Sequence, residues 1–225
     1  VEAGEFTPEG IARAVDVLSG HLKRARYFDC VRTDIFATAV LRNCTNSPAA
    51  IRAIESAIGA PVNLLSARDE AHLSFTGASC DRAIDEGTVV DLGGGSTELI
   101  RVEGGRDFDD VSIGQGSLSS YANFVEFIMP QASEVGTIER AFLNRVEETP
   151  VDLRKYRAET LYGVGGSARA AAKLYAQMVG EPCRPRALTP AHFEALLDLL
   201  ESNPSKFAHL AARAVPERIH TVGPG

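Results

Sequence analysis

No apolar run in this chain approaches the roughly 18–20 residues that a membrane helix needs. No segment combines the charged, apolar and cleavage regions of a secretory signal. Cys30, Cys44, Cys80 and Cys183 stand apart, with no Cys-x-x-Cys pair among them. Zinc binding is therefore not indicated, and reduced thiols in a cytoplasmic protein are the default. The five histidines are scattered and suggest no metal cluster. A basic excess is missing as well: the net charge of −7 excludes a general nucleic-acid binder. A polyanionic substrate would have to be met by local positive groups rather than by a positive field. What is present is globular in character, with 44% hydrophobic and 24% charged residues in a chain of 225. That length allows one large domain or two small ones, with a sizeable core.

Along the chain, Thr7-Pro8 opens a helix carrying Ile11, Val15, Leu18 and Leu22 at helical spacing. "DIFATAV" (34–40) reads as a buried strand. Ser47-Pro48 starts a second helix with Ile51, Ile54 and Ile58 on one face, closed near Gly59. Val62–Leu65 reads as a short strand, and Ser66 with Asp69 as the capping pair of a third helix. This alternation predicts an α/β layer with a parallel component. The texture changes near Gly87. "TVVDLG", "STELIRVEGG" and "DDVSIGQGS" read as a three-stranded meander, followed by helices near 117–127 and 138–148. "ETLYGVGGSARAAAKLYAQMV" repeats a strand–glycine–helix pattern, and Thr189-Pro190 and Pro204-Ser205 each open a further helix. The boundary between two domains falls at 81–87, giving domains 1–82 and 83–225.

The stretch "VVDLGGGSTELI" (89–100) has two readings. One is a plain hairpin with a glycine turn and exposed acids. The other is a phosphate cradle: Gly93, Gly94 and Gly95 let the backbone approach a ligand, and consecutive amides form an anion-binding concavity. Ser96 and Thr97 would add hydroxyl donors. Asp91 and Glu98 bracket the loop with hard oxygens suited to magnesium. The full pattern favours the cradle. A second loop, Gly165-Gly166-Ser167, lies where a strand meets a helix, so it serves either tight packing or anion binding at a helix N-terminus. Arg169 behind it would contact phosphate or be solvated. Glu70 sits in the first turn of the helix begun at Ser66. It either complements the helix dipole or acts as a general base, and nothing local distinguishes the two. Arg42, just past an apolar stretch, is either a phosphate clamp or a surface arginine.

Several segments then occur together in one order: "ATAVLRN" (37–43), "LLSARDEAHLSFTG" (64–77), "VVDLGGGSTELI", "VSIGQGSLS" (111–119), "LYGVGGSARAAAKL" (161–174) and "PERIHTVGPG" (216–225). In these the chain resembles the exopolyphosphatase/guanosine pentaphosphate phosphatase family of the sugar kinase, heat-shock protein and actin superfamily. The resemblance implies two ribonuclease-H-like, actin-like ATPase domains facing across a cleft, the first of them incomplete. It implies a magnesium-dependent phosphoanhydride hydrolase acting on inorganic polyphosphate or guanosine pentaphosphate, cytoplasmic and dimeric. Glu70 falls on the family's catalytic glutamate, although the pattern around it reads Ser66-Ala67-Arg68-Asp69-Glu70-Ala71, with Ala for Gly and Asp for the first Glu. Asp91 and Glu98 fall on the acids associated with magnesium, and Gly93–Thr97 on the second phosphate loop. Arg42 falls on a cleft arginine, and Gly165, Gly166 and Ser167 on the nucleoside-side loop. The first phosphate loop, D-x-G-S-N-S in the family, has no counterpart here, and the family continues past the final "VGPG". Slow turnover by these residues alone is the expectation, and a non-catalytic module that binds polyphosphate or an alarmone is the alternative.

Overall fold

The structure, a computed structural model, describes residues 4–225. It divides into two compact units, one ending at Glu70 and the other running from Ala71 to Gly225.

The first unit opens with helix α1 (Pro8–Tyr27). Thr7 caps it by accepting a hydrogen bond from the Gly10 amide at 3.1 Å, and Pro8 takes the first position, where no amide is needed. Strand β1 (Phe36–Ala37), helix α2 (Ala39–Arg42), helix α3 (Ser47–Ile58) and strand β2 (Asn63–Leu64) follow. Gly59 ends α3 in the left-handed conformation at φ 68°. The strand expected over 34–40 shrinks to two residues, and Phe36 is 53% exposed rather than buried. The physical reason is pairing. Among the described residues β1 meets only β2, in parallel and over two residue pairs, and the apolar run beyond Ala37 turns helical. Ile35, Ala37, Ile54 and Val62 form the core of this unit, with Leu18, Leu22 and Ile51 packed on it. Helix α4 (Ala67–Asp81) starts as the capping pair predicts. The Ser66 amide donates to Asp69 Oδ2 at 3.3 Å, and the Asp69 amide donates to Ser66 Oγ at 3.1 Å.

The units separate after Glu70, upstream of the boundary read at 82/83. Packing explains the difference: Ala71 and Phe75 on α4 are buried with Val89, Ile100 and Val102 of the following sheet. That sheet contains β3 (Gly87–Leu92), β4 (Thr97–Glu103), β5 (Arg106–Ile113) and β6 (Leu161–Val164) in the order β5-β4-β3-β6. β3, β4 and β5 form the expected antiparallel meander, and β6 joins β3 in parallel. Helix α5 (Ser117–Phe124) stops three residues short of expectation. Helix α6 (Ala132–Glu148) starts six residues early, where the Gln131 amide donates to the Glu134 carboxylate at 2.7 Å. Helices α7 (Gly165–Val179), α8 (Pro190–Ser202) and α9 (Pro204–Ala214) share a second core of Leu174, Leu196, Leu200, Phe207, Ala211 and Val215.

A 3-10 turn at Leu153–Tyr156 closes the sheet's other face, with the Thr88 hydroxyl donating to the Tyr156 carbonyl at 2.7 Å. Burial pushes the Tyr156 phenol up to about 12, and the negative charges of Asp109 and Asp110 add to the shift. An unfolded tyrosine ionises near 10, so the unfolded chain releases this proton first. Stability from Tyr156 is thus complete below about pH 10 and is lost as pH rises toward about 12. Urea denaturation between about pH 9.5 and 11.5 should show a steeper decline for the wild type than for Tyr156→Phe. Parallel declines would refute the assignment.

Candidate active site

Strands β3 and β6 run side by side in parallel, with Asp91 opposite Val164. The two glycine loops therefore leave the sheet at the same end, the carboxyl end of both strands, where open α/β sheets place ligands. They meet at a cavity of about 420 Å³ whose wall includes Asp91, Gly93, Gly94, Gly165, Gly166 and Arg218.

The first loop is a hairpin turn between β3 and β4. The Gly93 amide donates to the Ser96 carbonyl at 3.0 Å and closes the turn. The carbonyls of Gly93 and Gly94 point into the first turn of α5. Gly93 O accepts from the Ser117 amide at 3.0 Å and from its hydroxyl at 3.1 Å. Gly94 O accepts from the Leu118 and Ser119 amides, both at 2.9 Å. A trans peptide holds its N–H opposite its C=O. The amides of Gly94 and Gly95 consequently point away from α5, and neither has an acceptor among the described residues. Gly95 is half-buried and does not line the cavity. Ser96 and Thr97 are buried, and Thr97 Oγ1 donates to the Gln115 carbonyl at 2.7 Å, so neither residue reaches the wall.

Asp91 and Glu98 are direct cross-strand partners and so share one sheet face. The Ser74 hydroxyl on α4 donates to Asp91 Oδ2 at 2.5 Å. Asp91 Oδ1 faces Gly165 (φ 80°), where an added Cβ would lie 2.8 Å from that oxygen. The gap between them exists because Gly165 has no side chain. Glu98 is only 2% exposed and accepts a hydrogen bond from the Ser112 hydroxyl at 2.9 Å. It does not line the cavity. The donor set fits magnesium at Asp91, because that ion commonly takes one or two carboxylates and fills its shell with water and phosphate oxygens. Among the described residues, no three His, Cys, Asp or Glu side chains gather as a fuller cage.

At the second loop, Gly165 and Gly166 open on the cavity at the N-terminus of α7. Ser167 is buried, and its hydroxyl has no hydrogen-bond partner. Arg169 is exposed and lies off the wall. The residue that sequence reasoning did not single out is Arg218. Its guanidinium lies against Gly166, where any side chain would collide with it, and it makes no hydrogen bond or ion pair to the described residues. Beside Glu217 it reads in sequence as an ordinary solvated charge. Its only prior signal is its place within the matching segment "PERIHTVGPG".

In the first unit, Arg42 and Glu70 form a pair. Arg42 Nη1 donates to Glu70 Oε2 at 2.8 Å and to the Leu65 carbonyl at 2.9 Å, with both side chains 19% exposed. Arg42 is therefore committed at one nitrogen to orienting the carboxylate rather than standing as an isolated surface cation.

Among known proteins, the chain is 25% identical over 180 residues to a putative exopolyphosphatase of Haemophilus influenzae, covering 78% of this chain and 54% of that one. Over 101 residues, 44% of this chain, it is 32% identical to a guanosine-5'-triphosphate,3'-diphosphate pyrophosphatase of Photobacterium profundum, matching 20% of its length. The chain thus spans about half the length of the first relative and a fifth of the second. The crystal structure of an exopolyphosphatase from Cytophaga hutchinsonii shares the fold at a TM-score of 0.77 and 19% identity, over 99% of this chain and 73% of that one. The profile of the Ppx/GppA phosphatase family matches residues 1–225, and the chain belongs to that family.

Proposed function

We propose that the protein hydrolyses a terminal phosphoanhydride, releasing phosphate from inorganic polyphosphate or the 5′-γ phosphate from guanosine pentaphosphate. The observation that carries this reading is the wall of the cavity. It sets the unclaimed amide of Gly94, the Asp91 carboxylate and the unpaired Arg218 guanidinium around one space. Outward amides and a guanidinium suit phosphoryl oxygens, and a carboxylate beside them suits their counter-ion. The names of the relatives point to the same two substrates, and the two compact units would be the family's two actin-like domains.

In this reading Glu70 takes a proton from the attacking water. The water oxygen bonds to the terminal phosphorus, and the bridging P–O bond breaks. Arg42 holds the Glu70 carboxylate in place through its 2.8 Å hydrogen bond. The Gly94 and Gly95 amides would position the terminal phosphoryl group, and Arg218 would meet charge on its oxygens. Magnesium at Asp91 would supply further neutralisation of that charge. Glu98, the cross-strand partner of Asp91, would act on the ion directly or through water.

Glu70→Gln should lower phosphate release from tripolyphosphate by about a hundredfold or more under conditions where the variant is fully folded. Equal rates would remove Glu70 as the base, whereas tight binding by the wild type with no release would favour the non-catalytic module. A double-mutant cycle of Arg42→Met and Glu70→Gln, read by urea denaturation, should give a coupling energy on the order of 1 kcal/mol. Additive effects would show that the pair does no structural work.

A further inference from the structure

We infer that Gly116 is a positioning residue for the phosphate cradle: having no side chain, it lets the N-terminus of α5 seat on the hairpin tip and so aims the tip's amides at the ligand. The inference rests on reading the cavity as a phosphate site.

Gly116 caps α5 with φ −140° and ψ −175°, an extended conformation open to any residue. Its requirement is therefore spatial. A Cβ there would lie 2.6 Å from Gly93 O, 2.7 Å from Gly94 C and 2.8 Å from Gly94 O. These are backbone atoms of the tip and cannot swing aside as a long side chain can. Gly114, two residues earlier, has nothing within 4 Å of the same added atom. The crowding thus falls at 116 and not at 114.

The consequence lies in what the helix start does with its amides. The first amides of a helix have no intrahelical partner and carry the positive end of its dipole. In α5 the amides of Ser117, Leu118 and Ser119 all go to the carbonyls of Gly93 and Gly94. The helix does not itself bind the anion. It draws two carbonyl oxygens to itself, which removes them from the ligand's side and turns the amides on the far side of the same peptides outward. With a methyl group at 116, Gly93 O would have to retreat from 2.6 Å to beyond 3.0 Å, and the three amide bonds would loosen with it.

The test compares wild type, Gly116→Ala and Gly114→Ala by two readouts: amide hydrogen exchange at 117–119 and calorimetric affinity for tripolyphosphate. Gly116→Ala should lose protection at those amides and bind about tenfold or more weakly, the cost of one hydrogen bond to a charged group, while Gly114→Ala matches wild type. Retained protection, or lost protection with wild-type affinity, overturns the inference alone. A wild type that binds no tripolyphosphate sinks the phosphate reading and the inference with it. Should Gly116→Ala not fold, Ser117→Ala decides, since it deletes the hydroxyl bond to Gly93 O and adds no bulk. Ser117 also lines the cavity, so weaker binding together with lost protection at the 118 and 119 amides supports the positioning role, and wild-type binding, or weaker binding with protection kept, overturns it.

Discussion

Everything near the cavity depends on the register of β3. Asp91 is opposite Glu98 on β4 and opposite Val164 on β6 at the same time. The first pairing sets two acids face to face, and the second brings two glycine loops to one end of the sheet. That register is pinned by apolar burial. Val89 and Ile100 are fully buried cross-strand partners under Ala71 and Phe75 of α4. A slip of one residue would turn both out of the core and carry Asp91 to the wrong face, so the packing that stabilises the sheet also places the acid.

Local packing does not favour the acid pair itself. Like charges directly opposite across two strands are destabilising. Here each carboxylate is steadied by a serine hydroxyl, Ser74 for Asp91 and Ser112 for Glu98. With a net charge of −7, the chain has no general field to draw in a polyphosphate. In the proposed reaction, attraction would have to come from the wall, where among the described residues Arg218 stands without an acidic partner and amides lie without acceptors. A cation between Asp91 and a bound phosphate would relieve the repulsion and the substrate's charge together.

Much of this was legible in the sequence because local chemistry decided it. Thr7-Pro8 and Ser66 with Asp69 start helices where capping physics says they should, another begins at Ser47-Pro48 without a side-chain cap, and Gly59 ends it. The meander and the strand–glycine–helix turn at 161–167 were readable from alternation and glycine. What was not legible depends on distant partners. The run at 34–40 has full strand character, yet its length is set by the two residues β2 offers. Thr97 looked like a ligand donor, but its hydroxyl is taken by a carbonyl eighteen residues away. Arg218 reaches Gly166 across more than fifty residues of chain, a contact no local pattern announces. Glu70 shows the limit from the other side: its place in a helix's first turn is visible, whereas its pairing with Arg42 appears only in three dimensions.

Two helix N-termini converge on the same cavity and do different things there. α7 opens onto the space through Gly165 and Gly166, with a buried serine hydroxyl behind them that has no partner. α5 is closed, its first amides spent on the carbonyls of the hairpin tip. If both were open, the tip's carbonyl oxygens would be free to turn toward a bound anion and repel it. If both were closed, the second loop would offer nothing to the ligand. The glycines record this division. Gly165 leaves room for the Asp91 carboxylate and Gly166 for a guanidinium, while Gly116 leaves room for backbone. The first two keep space beside charged groups, and the third joins helix to hairpin, so the rigidity of the cradle and the openness of the cavity come from the same residue type used for opposite ends.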